Sequence, residues 1–288
     1  GLLGGVMPDY KIQKILNNNV VISTDENNNE IIVTGTGIGF RNHVGGSIDK
    51  TRISKIYTLN SSSFKKKFST LINEIPYECI HLSERIIDLA KSELQKELNQ
   101  NLILTLADHI HFAIQYHERG EYKPVLMNEE IKHFYLQEYQ LGLKAVEMIN
   151  QTYEIQLSND EAVSIAFHLI SAELNSNIDT TTQIIQSIDD ILQIIESTLN
   201  IQLRKDSMDY SRMVIHLKFF LKRVFIDHID DKVQFESFSL NPDEGEFKGI
   251  GKCINEIAAY IKKQFDTDIS DAERVYLLIH ITRIMQTN

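Results

Sequence analysis

Apolar and polar positions alternate with a period of two over about the first 60 residues and with a period near 3.6 after that. In the first stretch, Lys11–Leu16, Val20–Ser23, Glu30–Thr36 and Ile53–Leu59 are short runs rich in β-branched residues. They are separated by Asn17-Asn18-Asn19, Asn27-Asn28-Asn29 and Gly45-Gly46. This pattern predicts a small antiparallel sheet. Four short strands bury little apolar surface, so the module is expected to gain from pairing with a copy of itself.

After Ser61-Ser62-Ser63, a natural N-cap stretch, Phe64, Phe68, Leu71, Ile72 and Ile75 share one helical face. Ser83 is expected to open a second helix with Ile86, Ile87, Ala90 and Leu94 inward, and Leu102–His117 a third that stops near Gly120. The prolines Pro8, Pro76, Pro124 and Pro242 fall at or between these elements. The helical part repeats itself. Ser158 with Glu161 and Ser270 with Glu273 read as capping boxes, and each is followed by a histidine ten residues after the serine, His168 and His280. Upstream, Leu106–Phe112 around His109 lies on Met213–Phe219 around His216, so each copy of about 110 residues carries two histidines in an apolar helical pattern. The polar stretch Asn175–Thr182 reads as the join. The fold class is therefore a small antiparallel β domain followed by two all-α helical-bundle repeats.

Composition supports this division without explaining it. The chain has 288 residues, 42% hydrophobic and 24% charged, the make-up of a globular protein of two or three domains. Cys79 and Cys253 form no CxxC pairing, which points to a reducing, cytoplasmic setting. No apolar run is long enough to span a membrane, and Gly1–Val6 read as an appended remnant before Met7. The net charge of -11 disfavours a polyanionic partner for the chain as a whole. Residues 1–60, however, carry six basic groups against five acidic ones, a net of +1, which leaves -12 for the remainder. Such an asymmetry suits an N-terminal module that meets nucleic acid beside an acidic part with another task.

A single histidine on an apolar face is ordinarily a core residue, but four in register call for imidazole chemistry. The options are metal ligation, acid–base catalysis, pH sensing or acceptance of a phosphoryl group. Zinc fits poorly. His109 and His111 point roughly 200° apart on a helix, and no cysteine ligand accompanies His109, His111, His117 and His133. No GxSxG, P-loop or dinucleotide-binding fingerprint occurs, and Gly35-Thr36-Gly37-Ile38-Gly39 lacks the helix such a fingerprint needs. No enzyme, metal or cofactor is therefore expected.

Asn17-Asn18-Asn19-Val20, Gly35-Thr36-Gly37-Ile38-Gly39-Phe40, Asp108-His109, Glu161 with His168, Arg212 through His216 to Arg223, and Glu273 with Tyr276–Ile281 together resemble the BglG/SacY/LicT family of bacterial transcriptional antiterminators. The resemblance covers Tyr10–Asn288. It implies a co-antiterminator RNA-binding domain over 7–60 and two phosphotransferase-system regulation domains over 61–175 and 176–288. It also implies a homodimer on an RNA hairpin, with Lys14, Asn17, Asn18, Asn19, Gly35, Thr36, Gly37, Phe40 and Arg41 at the RNA. Asparagine offers a donor and an acceptor to base edges, glycine permits close backbone approach, an aromatic stacks on an unpaired base, and Lys14 and Arg41 hold phosphates. Many relatives have a basic residue where this chain has Thr36, and a Tyr-Pro pair where it has Tyr135-Leu136. By the same resemblance His109 and His168 accept phosphoryl groups from a sugar-specific EIIB component, which inhibits. His216 and His280 accept them from HPr, which activates. The alternative is a regulated sensor or docking protein without a nucleic-acid role. A DNA-binding activator would need an N-terminal helix-turn-helix where this chain reads as strands.

Overall fold

The computed structural model describes residues 7–59, 61–121, 127–227 and 248–287; Gly1–Val6, Asn60, Pro124 and Pro242 lie outside them. Four strands, β1 (Lys14–Asn17), β2 (Val20–Thr24), β3 (Glu30–Thr34) and β4 (Lys55–Thr58), form one antiparallel sheet in chain order, a meander. Register is fixed by pairs such as Val20 with Thr34 and Ile32 with Tyr57. β1, β3 and β4 are shorter than the sequence pattern predicts, for local reasons, while β2 runs one residue further, to Thr24. Lys11 makes only an isolated bridge to Ser47. A single 3-10 turn, Lys50–Arg52, precedes β4, and β3 stops where Gly35 meets the backbone of Arg52.

Alternate strand residues serve two cores. Val20, Ile22, Ile32 and Tyr57 pack with Phe64, Phe68 and the helices that follow, while Val21, Ile31 and Val33 pack with Ile12, Ile38 and Ile48 from the loops. Both faces of the sheet are thus covered from within the chain.

The helices are α1 (Ser62–Glu74), α2 (Tyr77–Leu94), α3 (Leu102–Glu118), α4 (Asn128–Phe134), α5 (Leu136–Tyr153), α6 (Asp160–Glu173), α7 (Ile178–Leu199), α8 (Met208–Lys222), α9 (Lys248–Phe265) and α10 (Asp271–Thr287). The chain forms two compact units. The first holds the sheet, α1–α3, α5 and α6; the second holds Met127–Leu136 with α4 and everything from Leu174. Among the described residues no helix is long and apolar enough to cross a membrane.

Three sequence expectations are corrected. Ser83 does not open a helix. It lies inside α2, buried, and its hydroxyl donates to the Cys79 carbonyl at 2.8 Å. The helix begins after Pro76, which supplies no side-chain cap. Most of Asn175–Thr182 is not a loop: Asn177 caps α7 by accepting from Thr180 N at 2.8 Å, and Thr181 is fully buried. The capping boxes are only half formed. Ser270 Oγ accepts from Glu273 N at 3.2 Å and Ser158 Oγ from Asp160 N at 3.2 Å, but both glutamate side chains turn to histidines instead of back to their caps.

A buried carboxylate joins sheet to helix in the first unit. Glu84 of α2 is 1% exposed and accepts from Thr34 Oγ1 and Tyr57 OH, each at 2.7 Å, and from Ser54 Oγ at 3.3 Å. Burial raises its pKa above the ordinary value of 4.5, against the pull of those three hydroxyls.

Candidate functional site

A four-strand meander carries the β1–β2 turn and the β3–β4 connection to one end and the β2–β3 hairpin to the other. The asparagine run, which ends at Asn19, and the glycine run, which starts 16 residues later at Gly35, therefore meet. Asn17 Oδ1 accepts from Asn19 N, and Asn19 Oδ1 accepts from Gly37 N, both at 2.8 Å. Gly39 N and Gly35 N donate to the Asn18 and Asn19 carbonyls at 2.9 Å. The Asn19 side chain is thus spent on holding the two loops together and that of Asn17 on closing its own turn, and Asn18 is left exposed.

The glycines permit this approach. A Cβ on Gly39 would lie 2.4 Å from the Asn17 carbonyl oxygen and one on Gly35 2.0 Å from that of Arg52, and Gly37 has φ of +72°. Beyond them Phe40 is 55% exposed, with the Arg41 guanidinium carbon 5.2 Å from its ring centroid. Arg41 itself holds a left-handed φ of 52°, unusual for a non-glycine residue. Thr36 is exposed at the same end. Lys14 stands apart, at the start of β1 opposite Ile22. Arg52 was not among the residues singled out from the sequence. Its signal was topological: a basic residue just before β4 must return to the end where the asparagines turn.

The histidines come together as the repeat implies. In the first unit α3 and α6 place the rings of His109 and His168 with centroids 5.0 Å apart. Glu161 Oε2 lies 2.9 Å from His109 Nε2. Burial, with the neighbouring His109, pushes the His168 pKa down from 6.5 to about 3, so this ring stays neutral. In the second unit α8 and α10 place His216 and His280 with centroids 5.8 Å apart and nearly parallel. His216 Nε2 is bonded to Glu273, whose other oxygen accepts from Arg223 Nη2 at 3.2 Å. Tyr276 stacks on His216 at 3.7 Å. His280 Nδ1 is buried without a hydrogen-bond partner among the described residues. Its pKa is lowered by burial, then by His216 and the charges of Arg283 and Arg212.

The two pairs differ in charge. Aligned on the histidines, Arg212, Arg223 and Arg283 correspond to Thr105, Tyr116 and Ser171. In both pairs a carboxylate engages one imidazole through its Nε2 and so leaves the opposite nitrogen of that ring outside this contact, an arrangement compatible with a ring that acts as a nucleophile.

Comparison with known proteins identifies the domains that carry these residues. Residues 10–74 match the CAT RNA binding domain, and residues 84–172 and 189–284 match the PRD domain. The chain is 35% identical over 278 residues to the transcription antiterminator LicT of Bacillus subtilis, covering 96% of this chain and 99% of that protein. It is 36% identical over 275 residues to the beta-glucoside operon antiterminator of Dickeya chrysanthemi, covering 95% and 96%. Among solved structures, the crystal structure of GlcT CAT-PRDI superposes with a TM-score of 0.53 at 28% identity, over 58% of this chain and 99% of that one. With a CAT RNA-binding sheet at its start, two PRD matches after it and full-length likeness to LicT, the chain belongs to the BglG/SacY/LicT family of transcription antiterminators.

Proposed function

We propose that the protein binds a hairpin in nascent messenger RNA as a homodimer and so keeps a transcription terminator from forming. In this reading residues 7–60 bind RNA, and 61–175 and 176–288 regulate. The observation that carries it is the shared loop end of the sheet, where Asn18, Thr36, Phe40 and Arg41 stand exposed around a glycine turn. Phe40 stacks on an unpaired base, Asn18 meets base edges, Gly37 lets the RNA backbone approach while buried Gly35 seats the turn on the Arg52 backbone, and Arg41 and, farther along β1, Lys14 hold phosphates. Asn17 and Asn19 act by fixing the loops. The protein is a regulator and not an enzyme.

Control comes through the histidines. His109 and His168 receive phosphoryl groups from a sugar-specific EIIB component, and His216 and His280 from HPr. Each transfer adds to the ring a dianionic group with three acceptor oxygens. Homodimerisation is supported by exposed Ile215 and Phe219 on α8 and Tyr276 and Ile279 on α10, an apolar surface beside the second pair that another copy would cover.

The test uses the full chain. Binding to a pool of bulged RNA hairpins and to duplex DNA is measured across a salt series. Two chains per hairpin with a steep salt dependence and no DNA binding is expected; failure to bind any hairpin would leave the sensor or docking reading in its place. Substituting His216 and His280 together by alanine should abolish HPr-dependent labelling, and undiminished labelling would sink the assignment.

A further inference from the structure

The first 60 residues hold six basic side chains, and the structure separates those already committed from those available. Lys11 pairs with Asp9 at 3.0 Å, Lys50 donates to the Met7 carbonyl, and Lys55 pairs with Asp88. Lys14 lies at the start of β1, away from the turn. At the loop end itself that leaves Arg41, over Phe40, and Arg52.

Arg52 is held at the loop end by backbone packing. A Cβ on Gly35 would come within 2.0 Å of the Arg52 carbonyl oxygen, so the glycine and the arginine backbone are in contact. The side chain then runs along the glycine loop, placing Nη1 3.2 Å from where a Gly37 Cβ would stand. Asn19 holds the other side of the same residue through Gly37 N. The side chain of Arg52 is 59% exposed, and its ion pair is a 3.5 Å contact to the equally open Asp49, of the kind that contributes little and gives way to a stronger anion. Asp49 is occupied in any case: it accepts from Thr51 N and Thr51 Oγ1 and so caps the 3-10 turn that carries Arg52. Neither Asn18 nor Thr36, the exposed residues of the two joined loops, carries a charge.

We propose that Arg52 is an RNA-binding residue that holds a backbone phosphate over the Gly35–Gly37 turn. This rests on the reading of that end as the RNA interface. A phosphate is the ligand favoured, because the guanidinium lies beside Gly37, is open to solvent and is held only by the weak contact to Asp49. A side chain that reads a base would be fixed in a plane by packing or by a second hydrogen-bonded group.

The experiment uses the full chain and the hairpin that the unmodified chain selects from a bulged-hairpin pool. Arg52→Gln, Arg52→Lys, Arg41→Gln and Asn18→Ala are compared in a salt series, with far-UV circular dichroism confirming that each is folded. Arg52→Gln is expected to weaken binding about tenfold at low salt and to reduce the slope of log affinity against log salt by about one. Arg52→Lys is expected to restore most of both. Unchanged binding by Arg52→Gln alongside a loss in Arg41→Gln and Asn18→Ala overturns the role of Arg52 and leaves the interface standing. A loss in Arg52→Gln with an unchanged slope and no rescue by lysine also overturns it, in favour of base readout. Unchanged binding by all the variants removes the interface itself.

Discussion

Truncating Glu84 to alanine is expected to loosen the attachment of β3 and β4 to α2, and the cost follows from where its three hydroxyl donors fall back. Thr34 has the Lys55 carbonyl at 3.4 Å and Ser54 has His81 Nδ1 at 3.2 Å. Tyr57, 4% exposed, has no such reserve, so its hydroxyl is orphaned at a cost of about 1–3 kcal/mol. The cavity left by the removed side chain adds about 1–2 kcal/mol. Relief from burying a carboxylate offsets part of this, which leaves a net loss of about 2–3 kcal/mol. Amide exchange at Ile32 and Tyr57, paired across β3 and β4, reads this locally, as a chain of two compact units requires. Adding Tyr57→Phe to Glu84→Ala should recover about 1–2 kcal/mol, because the orphan goes while the ring stays between Phe64 and Phe68. If Tyr57→Phe has the same effect with and without Glu84, the reasoning is refuted. The pH dependence has a definite sign. Because burial raises the Glu84 pKa, the native state keeps its proton where the unfolded chain loses it near 4.5. Stability relative to Glu84→Gln should therefore fall as pH rises from about 4 toward neutrality.

Gly142→Ala tests a close helix approach: a Cβ there would lie 2.1 Å from the Ala162 carbonyl oxygen, so α5 must shift from α6. Urea unfolding should show a loss of about 1–3 kcal/mol, although helix propensity alone predicts a gain of about 1 kcal/mol; a gain refutes the contact. His168, held to a pKa of about 3, should show no imidazole titration by NMR between pH 7 and about 4. Since the unfolded chain takes up that proton near 6.5, its contribution is lost as pH falls from 6.5, and His168→Asn should flatten this dependence. Glu161→Gln should slow phosphoryl labelling of His109 about tenfold while labelling of His216 and His280 is unchanged. Equal slowing at all three would show a general loss of structure instead.

Much of this was legible in the sequence, and the failures have physical causes. Val20–Ser23 and the Ser61 cap of α1 are local signals, and the structure keeps them: Ser61 Oγ accepts from Phe64 N at 3.2 Å. The histidine register was legible because a repeat is a property of the sequence itself. Ser83 misled because serine inside a helix bonds back to its own turn, and the composition of a cap does not show which of the two it will do. The capping-box glutamates misled for a deeper reason. Glu161 and Glu273 had two possible partners, a local amide and a histidine more than 50 residues away, and only packing decides between them. Arg52 needed the topology of the sheet before its position meant anything.

The meander also sorts its turns by duty. The far hairpin between β2 and β3 is closed by Asp25, which accepts from Asn27 N at 2.9 Å and Asn29 N at 2.8 Å, with Asn28 left-handed at φ of 66°. Nothing at that end contributes to the asparagine–glycine junction. Lengthening the hairpin carries only a loop-closure penalty of about 0.6 kcal/mol per doubling. Asn27 is thus the place to graft a tag or a fluorophore: a reporter there rides on the sheet without touching the surface it reports on.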